Sequence, residues 1–430
     1  MKLLQLYKNK DVVIVQDDIV INAREFKNIC NKIAGYVSTE FEHSSVIGVI
    51  SDNDVYGLFL AVGAALAGKD VLPLATFNQG LVNEYLIDQT GCKSFIGYGT
   101  DLDHSNKEKI NNLKNYKPNL KPGNFIVSST GSTGIPKISS HNLLDVSKKY
   151  LQDVSNLVYS KMPELDKRAF YSAPLMGGLT VYLSMISIKF IPYLTNKRPS
   201  TEVINEIILK NKLDVCTGRP TLLERFMNEE VKSLYGVKAL ISSGAPLSES
   251  QIEYCQNYLG IKYILDFYAT TEAGTIAVRD AIKEKTFSQY PENEIFEIQD
   301  DGFRIKNTSI RGSYSNGIFY ALKSRYIDDE IMHFGNQIKL LGRSSKKIKV
   351  NGFSVPMALI IQAANNIPGI IDCRLNIEPS ESSSDIIVLR YTGREYDTKE
   401  FKSLLEEKLP FYAVPKKISY ISIEEWGVSK

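Results

Sequence analysis

Histidine and cysteine are scarce in this chain, and neither is placed for chemistry. Its four histidines, His43, His104, His141 and His333, stand far apart in 430 residues, so a zinc centre or a histidine-based triad has little to build on. The five cysteines, Cys30, Cys92, Cys216, Cys255 and Cys373, show no CxxC and no metal-ligand spacing. An odd, dispersed set of this kind reads as reduced thiols. Charge of one sign is missing too: 51 basic and 49 acidic residues leave a net +2, too little to draw the chain to nucleic acid or a lipid surface. No apolar run reaches the ~18 residues of a membrane span. The opening Met-Lys-Leu-Leu-Gln-Leu is interrupted by Lys8 and Lys10 before it can form a signal peptide. These absences predict a cytoplasmic protein with no membrane span and no nucleic-acid partner. A hydrophobic share of 43% over this length can bury the cores of two or three domains.

What is present is organised around residues 125–137, Phe-Ile-Val-Ser-Ser-Thr-Gly-Ser-Thr-Gly-Ile-Pro-Lys. Three apolar residues predict a short buried strand, broken by hydroxyl and glycine residues into a loop that ends at a lysine. Gly131 and Gly134 let the backbone turn its N–H groups onto an anion. Ser129, Thr130, Ser132 and Thr133 add hydroxyl donors, and Lys137 adds a point charge. The stretch reads as a grip for a polyphosphate. It departs from the Walker loop, since only two residues separate the glycines and Pro136 precedes the lysine.

Upstream, residues 11–21 alternate as a hairpin, residues 23–36 carry apolar residues at helical spacing, and residues 46–50 read as a buried strand. A helix over residues 55–67, stopped by Gly68, leads to a strand at residues 71–74. Strand, helix and strand at this spacing predict a parallel sheet with crossover helices. Downstream, Asn142 and Asp145 are placed to cap a helix through Leu157, and Leu213–Cys216 with Arg219-Pro220 repeats strand then helix. Strands at residues 237–242 and 263–267 end in Ser243-Gly244-Ala245-Pro246-Leu247 and Tyr268-Ala269-Thr270-Thr271-Glu272. Carboxyl ends of strands are where open α/β sheets bind ligands. From about Glu294 to Leu341 short alternating strands predict a β-rich subdomain. Past Arg343 the composition turns basic, and a separable α+β unit follows, with helices at residues 356–364 and from Asp397 and strands at residues 370–377 and 386–391.

The order Ser-Thr-Gly-Ser-Thr-Gly-x-Pro-Lys resembles the phosphate loop of the adenylate-forming superfamily, which includes acyl-CoA synthetases, adenylation domains of peptide synthetases and luciferases. The resemblance extends over most of the chain and implies roles for particular residues. Tyr268 would stack on adenine opposite the thin wall Gly244-Ala245-Pro246, Thr271 would touch the α-phosphate, and Glu272 would hold Mg²⁺. The family's Tyr-Gly-x-Thr-Glu is matched except for Ala269. Tyr326-Ile327-Asp328-Asp329 stands where the family has Thr-Gly-Asp, and the spacing to Leu341-Gly342-Arg343 selects Asp329 as the acid that receives the ribose hydroxyls. Arg343, with Ser345 in the hinge position and Lys349 and Gly352 beyond it, resembles the hinge and glycine loop that the family swings in for thioester formation. Lys430 falls one residue short of the family's last catalytic lysine, with Ser429 where glycine is usual. The stretch containing Met176, Gly177 and Gly178, together with Ser243, aligns with the acid pocket. It has neither the histidine of many acyl and aryl ligases nor the aspartate that meets an amino group, which favours a neutral-tailed acid over an amino acid.

The expected fold is α/β, with a large N-terminal domain over residues 1–342 built of parallel-rich sheets, crossover helices and a β-rich subdomain. A small mobile α+β C-terminal domain over residues 343–430 would follow. The implied reaction is ATP- and Mg²⁺-dependent activation of a small carboxylic acid as an acyl-adenylate, then transfer to the thiol of coenzyme A or of a carrier protein's pantetheine. A stand-alone enzyme loading a carrier protein, or a non-catalytic nucleotide- or acyl-binding relative, are the alternatives.

Overall fold

The computed structural model describes residues 2–4, 6–17, 19–51, 54–74, 81–98, 121–129, 137–142, 144, 158, 160–171, 175–195, 199–245, 247–299, 302–343, 348–350, 353–355, 357–365, 367–378 and 386–422. Two large sheets carry most of the strands among them. The seven-stranded sheet runs, edge to edge, Ile318–Ala321, Ile310–Ser315, Lys137–His141, Phe125–Ser129, Asp70–Leu74, Val46–Ser51, Ser94–Tyr98. The eleven-stranded sheet starts from the hairpin Val12–Gln16 and Ile19–Asn22, passes through Ile191–Leu194, Arg168–Tyr171, Val215–Gly218, Ala239–Ser243 and Tyr263–Thr270, and ends in four antiparallel strands, the last Asp329–Phe334. Its middle is parallel, with helices Thr201–Asn211, Pro220–Asn228 and Glu249–Asn257 as crossovers. Both sheets are therefore mixed: the eleven-stranded one is parallel at the centre and antiparallel at both rims, while the seven-stranded one is parallel from Phe125–Ser129 to its Ser94–Tyr98 edge and antiparallel over the other half.

Helices Ala23–Glu40, Asp54–Leu66 and Leu175–Ser187 share the largest core with strands of both sheets. The first begins in a capping box, in which Asn22 accepts from the backbone of Arg24 and Glu25 while the Glu25 side chain answers the Asn22 N–H. The second is apolar on every side because neighbours surround it. It comes so close to the first that a Cβ on Gly63 would collide with the Ile33 side chain, which is why glycine stands in a helix there. Gly68, with φ of +82°, ends this region.

The β-rich region is present, but its strands are shared out. Glu294–Gln299, Gly302–Lys306 and Arg325–Ile327 make a sheet of three. Ile310–Ser315 and Ile318–Ala321 extend the seven-stranded sheet, and Asp329–Phe334 with Gln337–Arg343 close the eleven-stranded one. Beyond it, Ile370–Glu378 pairs antiparallel with Ile386–Gly393, which pairs parallel with Lys417–Tyr420. Helices Met357–Asn365 and Thr398–Glu406 supply residues to that sheet's own core, the second capped by Asp397 accepting from Lys399 and Glu400. The helix expected after Asn142 lies outside the described residues. All five cysteines are free and buried, as expected of reduced thiols. No helix among the described residues is long and apolar enough to cross a membrane.

Candidate active site

The strand Phe125–Ser129 turns back as Lys137–His141, with Ser129 opposite Lys137. The lysine that the sequence shows as the end of a loop is thus the first residue of a returning strand. Thr130, Gly131, Ser132, Thr133 and Gly134 lie outside the described residues, as do Pro246, Ser345, Gly352 and Lys430. Met176, Gly177 and Gly178 fall in helix Leu175–Ser187, and Lys349 in strand Ile348–Val350.

The parallel register places Ser243 beside Phe267, and the Ser243 hydroxyl donates to the Phe267 carbonyl at 3.1 Å. Gly244 follows with φ of +91°, a conformation that a side chain would strain, and its Cα faces the Arg219 side chain. Ala245 is buried behind it. The neighbouring strand continues past Phe267, where the sequence pattern suggests it stops, and carries Tyr268 and Ala269 within it through Thr270. A register shift at Tyr268/Ala269 accompanies this extension, and Thr271, Glu272 and Ala273 form the turn into Gly274–Asp280.

Tyr268 and Asp329 meet. The Tyr268 hydroxyl donates to Asp329 Oδ2 at 2.9 Å, and the two residues are 8% and 7% exposed. The Tyr268 ring rests edge-on against Phe287, centroids 6.2 Å apart. Asp329 opens its strand opposite Arg343, so the predicted ribose acid and the predicted hinge arginine are cross-strand partners.

The turn carrying Thr271 and Glu272 is fastened from beneath by residues that the sequence did not single out. His141 Nε2 donates to the Thr271 carbonyl at 2.9 Å, and its Nδ1 faces the Ser309 hydroxyl at 3.5 Å. Burial holds that imidazole neutral, its pKa pushed down to about 4 against the smaller opposing pull of the Thr271 carbonyl. The Asn307 amide donates to the Ala273 carbonyl at 2.8 Å and to Asn293 Oδ1 at 2.9 Å, while Asn293 reaches the carbonyls of Thr275 and Ile276. Arg325 donates to the Ile138 carbonyl and Ser139 Oγ. Desolvation lowers its pKa, and the Glu272 carboxylate acts in the opposite sense. Only the proximity of His141 to the Ser-Thr-Gly loop hinted at any of this in one dimension.

Glu272 is 7% exposed, and among the described residues no three His, Cys, Asp or Glu side chains gather as a metal centre. A single hard carboxylate suits Mg²⁺, which is commonly held by one or two carboxylates together with substrate phosphates. The residues present therefore fit that ion.

The AMP-binding enzyme family matches residues 125–295. VraA of Staphylococcus haemolyticus, named as a long chain fatty acid-CoA ligase, is 22% identical over 302 residues, 67% of this chain and 64% of that protein. The chain thus spans a little under two thirds of the length of that curated relative. Among solved structures, o-succinylbenzoate CoA synthetase of Bacillus subtilis superposes with a TM-score of 0.79 at 13% identity, covering 98% of this chain and 93% of the other. NpsA-ThdA, an artificially fused adenylation-PCP di-domain from Klebsiella oxytoca, gives 0.77 at 14% identity, covering 97% and 85%. The family match thus covers residues 125–295, beginning at the phosphate-loop motif, and the architecture over nearly the whole chain is that of these solved structures.

Proposed function

We propose that this chain activates a small carboxylic acid with ATP. One observation carries the reading most: the Tyr268–Asp329 hydrogen bond joins the residue read as the adenine side to the residue read as the ribose acid, 61 positions apart. The acid's carboxylate oxygen attacks the α-phosphorus, the bond to the bridging oxygen breaks, and pyrophosphate leaves with the electron pair, giving an acyl-adenylate. Asp329 accepts from the ribose hydroxyls, with Arg343 beside it. Tyr268 and the Gly244-Ala245-Pro246 wall flank the base, and Thr271 donates to the α-phosphate. Ser129 to Gly134 and Lys137 hold the departing pyrophosphate. Glu272 would hold Mg²⁺, which when bound neutralises charge on the phosphates. Catalysis on this reading is positioning and charge stabilisation, with no protein nucleophile.

Met176, Gly177, Gly178 and Ser243 are assigned to the acid pocket, and Lys430 to the attack step. Residues 343–430 form the lid that turns about the Arg343 region to bring Lys349 and Gly352 to a thiol. That thiol belongs to coenzyme A or to a carrier protein's pantetheine arm. The names of the relatives, which cover a CoA synthetase and an adenylation-PCP fusion, support both acceptors.

The test is acid-dependent exchange of labelled pyrophosphate into ATP, without thiol, across fatty, aryl, short-chain and amino acids. Exchange with a neutral-tailed class is the expected result. Exchange confined to amino acids overturns the acid assignment, and silence across the panel with ATP still bound favours a binding relative.

A further inference from the structure

Arg325 opens the short strand Arg325–Ile327, which pairs with Gly302–Lys306 and leads within two residues to Asp329. Its guanidinium serves another sheet. Nη2 donates to the Ile138 carbonyl at 3.1 Å and to Ser139 Oγ at 2.7 Å. Both acceptors lie in the strand that begins at Lys137.

Where those bonds fall matters. On one side, Lys137–His141 is paired along its whole length with Phe125–Ser129. On the other, the paired positions with Ile310–Ser315 are Ile310 with His141 and Gly312 with Ser140, at the end far from Lys137. Past Ser140 side chains take over from the ladder: Ser313 Oγ donates to the Ile138 carbonyl at 2.6 Å, and Arg325 donates to that carbonyl and to Ser139. The Glu272 carboxylate acts on the same guanidinium. A planar, always-charged fork suits such a joint, because it can serve two acceptors while remaining in a third group's field.

We propose that Arg325 is a positioning residue for the triphosphate. It fixes the loop-side end of the strand that starts at Lys137 and registers it against the Asp329 segment assigned to the ribose. The inference rests on reading residues 129–137 as the polyphosphate grip. Its consequence is selective. Loss of Arg325 should be felt by the β- and γ-phosphates, while adenosine monophosphate, which needs Tyr268, Thr271 and Asp329, should lose little.

The test is calorimetric binding of ATP and of AMP to the full chain in EDTA, so that no metal enters. Arg325→Met is expected to weaken ATP about tenfold, roughly the worth of one charge-assisted contact, and AMP by no more than about threefold. Arg325→Lys should fall between Arg325→Met and the unaltered chain, since an ammonium keeps the charge and loses the fork. If Arg325→Met does not fold, Ser139→Ala removes one of its acceptors and should weaken ATP alone by about twofold to threefold. Lys137→Ala calibrates the reading underneath. If it weakens both nucleotides equally, the polyphosphate grip fails, and this inference with it. If Lys137→Ala is selective for ATP while Arg325→Met, or its Ser139→Ala substitute, weakens ATP and AMP alike or neither, the grip stands and the role of Arg325 is overturned.

Discussion

Residues 294–343 and 357–420 follow one another in sequence and both build a small sheet with an antiparallel pair, yet they end up in opposite situations. The second stretch closes its own core: Ile360, Leu375, Leu389, Tyr391, Phe401 and Leu405 pack among residues of that stretch alone. The first gives its apolar faces away. Phe303, Ile305, Ile327 and Ile338 share a core with Tyr268, Ala273 and Phe287, which belong to the putting-together of the site. Independence is decided by where the buried faces go, and alternation alone carries no information about the destination. The consequence is functional, since the shared stretch carries Arg325 and Asp329 and the self-contained one is the part proposed as the lid.

The sharpest way to break this contrast is to separate the pieces. A fragment of residues 344–430 is expected to melt cooperatively with dispersed amide resonances, and a fragment of residues 294–343 to stay unfolded. A disordered C-terminal fragment would remove the argument for a separable lid.

Within the whole chain the contrast reappears at two fully buried phenylalanines. Phe401 stacks on Tyr391 with centroids 4.3 Å apart, and its truncation to alanine should cost about 3–5 kcal/mol. That loss should appear as early melting of the C-terminal unit, with ATP binding to the remainder within about twofold. Phe303→Ala should cost a similar amount, but it empties the core beneath Tyr268 and should weaken ATP as well. Differential scanning calorimetry with ATP titration checks both, and equal effects on ATP would mean that the two cores are not independent.

The same contrast explains what could be read in one dimension. Strand-helix-strand order, Gly68 as a stop and the Asp397 cap were visible because each is a local rule acting over a few residues. Tyr268, Thr271, Glu272 and Asp329 were nominated for the site because their motif order is local too, and the structure joins Tyr268 to Asp329. Sheet membership after Glu294 was not, because a strand's partner is a long-range choice. Helix Leu81–Thr90, strand Ser94–Tyr98 and strand Lys417–Tyr420 went unread, although Gly91, with φ of +64°, directly follows that helix as a stop. Arg325, Asn307 and His141 were hidden for a further reason: each acts by side-chain bonds to carbonyls or amides distant in sequence, which leave no spacing pattern.

His141 supplies the next prediction, because a buried neutral histidine beneath the turn makes the shared region acid-sensitive. Its pKa is pushed down to about 4 by burial, from the usual 6.5. Between those values the unfolded chain takes up a proton that the folded chain refuses. Stability should therefore fall as pH drops through this window, by on the order of 3 kcal/mol once below the lower value. His141→Gln should be less stable near neutrality and show a flatter decline from pH 6.5 to 4 in urea melts. A parallel decline in both proteins would assign the acid sensitivity to other groups.

The smallest effect concerns the bond that joins the two halves of the proposed nucleotide site. Tyr268→Phe keeps the ring against Phe287 and removes only the hydroxyl that donates to Asp329. A hydrogen bond to a charged group is worth about 1.5–3 kcal/mol, and part of that should be recovered when the ribose hydroxyls bind the same carboxylate. The net loss expected is about threefold to tenfold in KM for ATP, with kcat for pyrophosphate exchange within about twofold. Asp329→Asn should cost more, because it alters the acceptor that the ribose itself would use. If the two substitutions were equal in effect, Asp329 would matter through Tyr268 alone, and the ribose assignment would move to another residue.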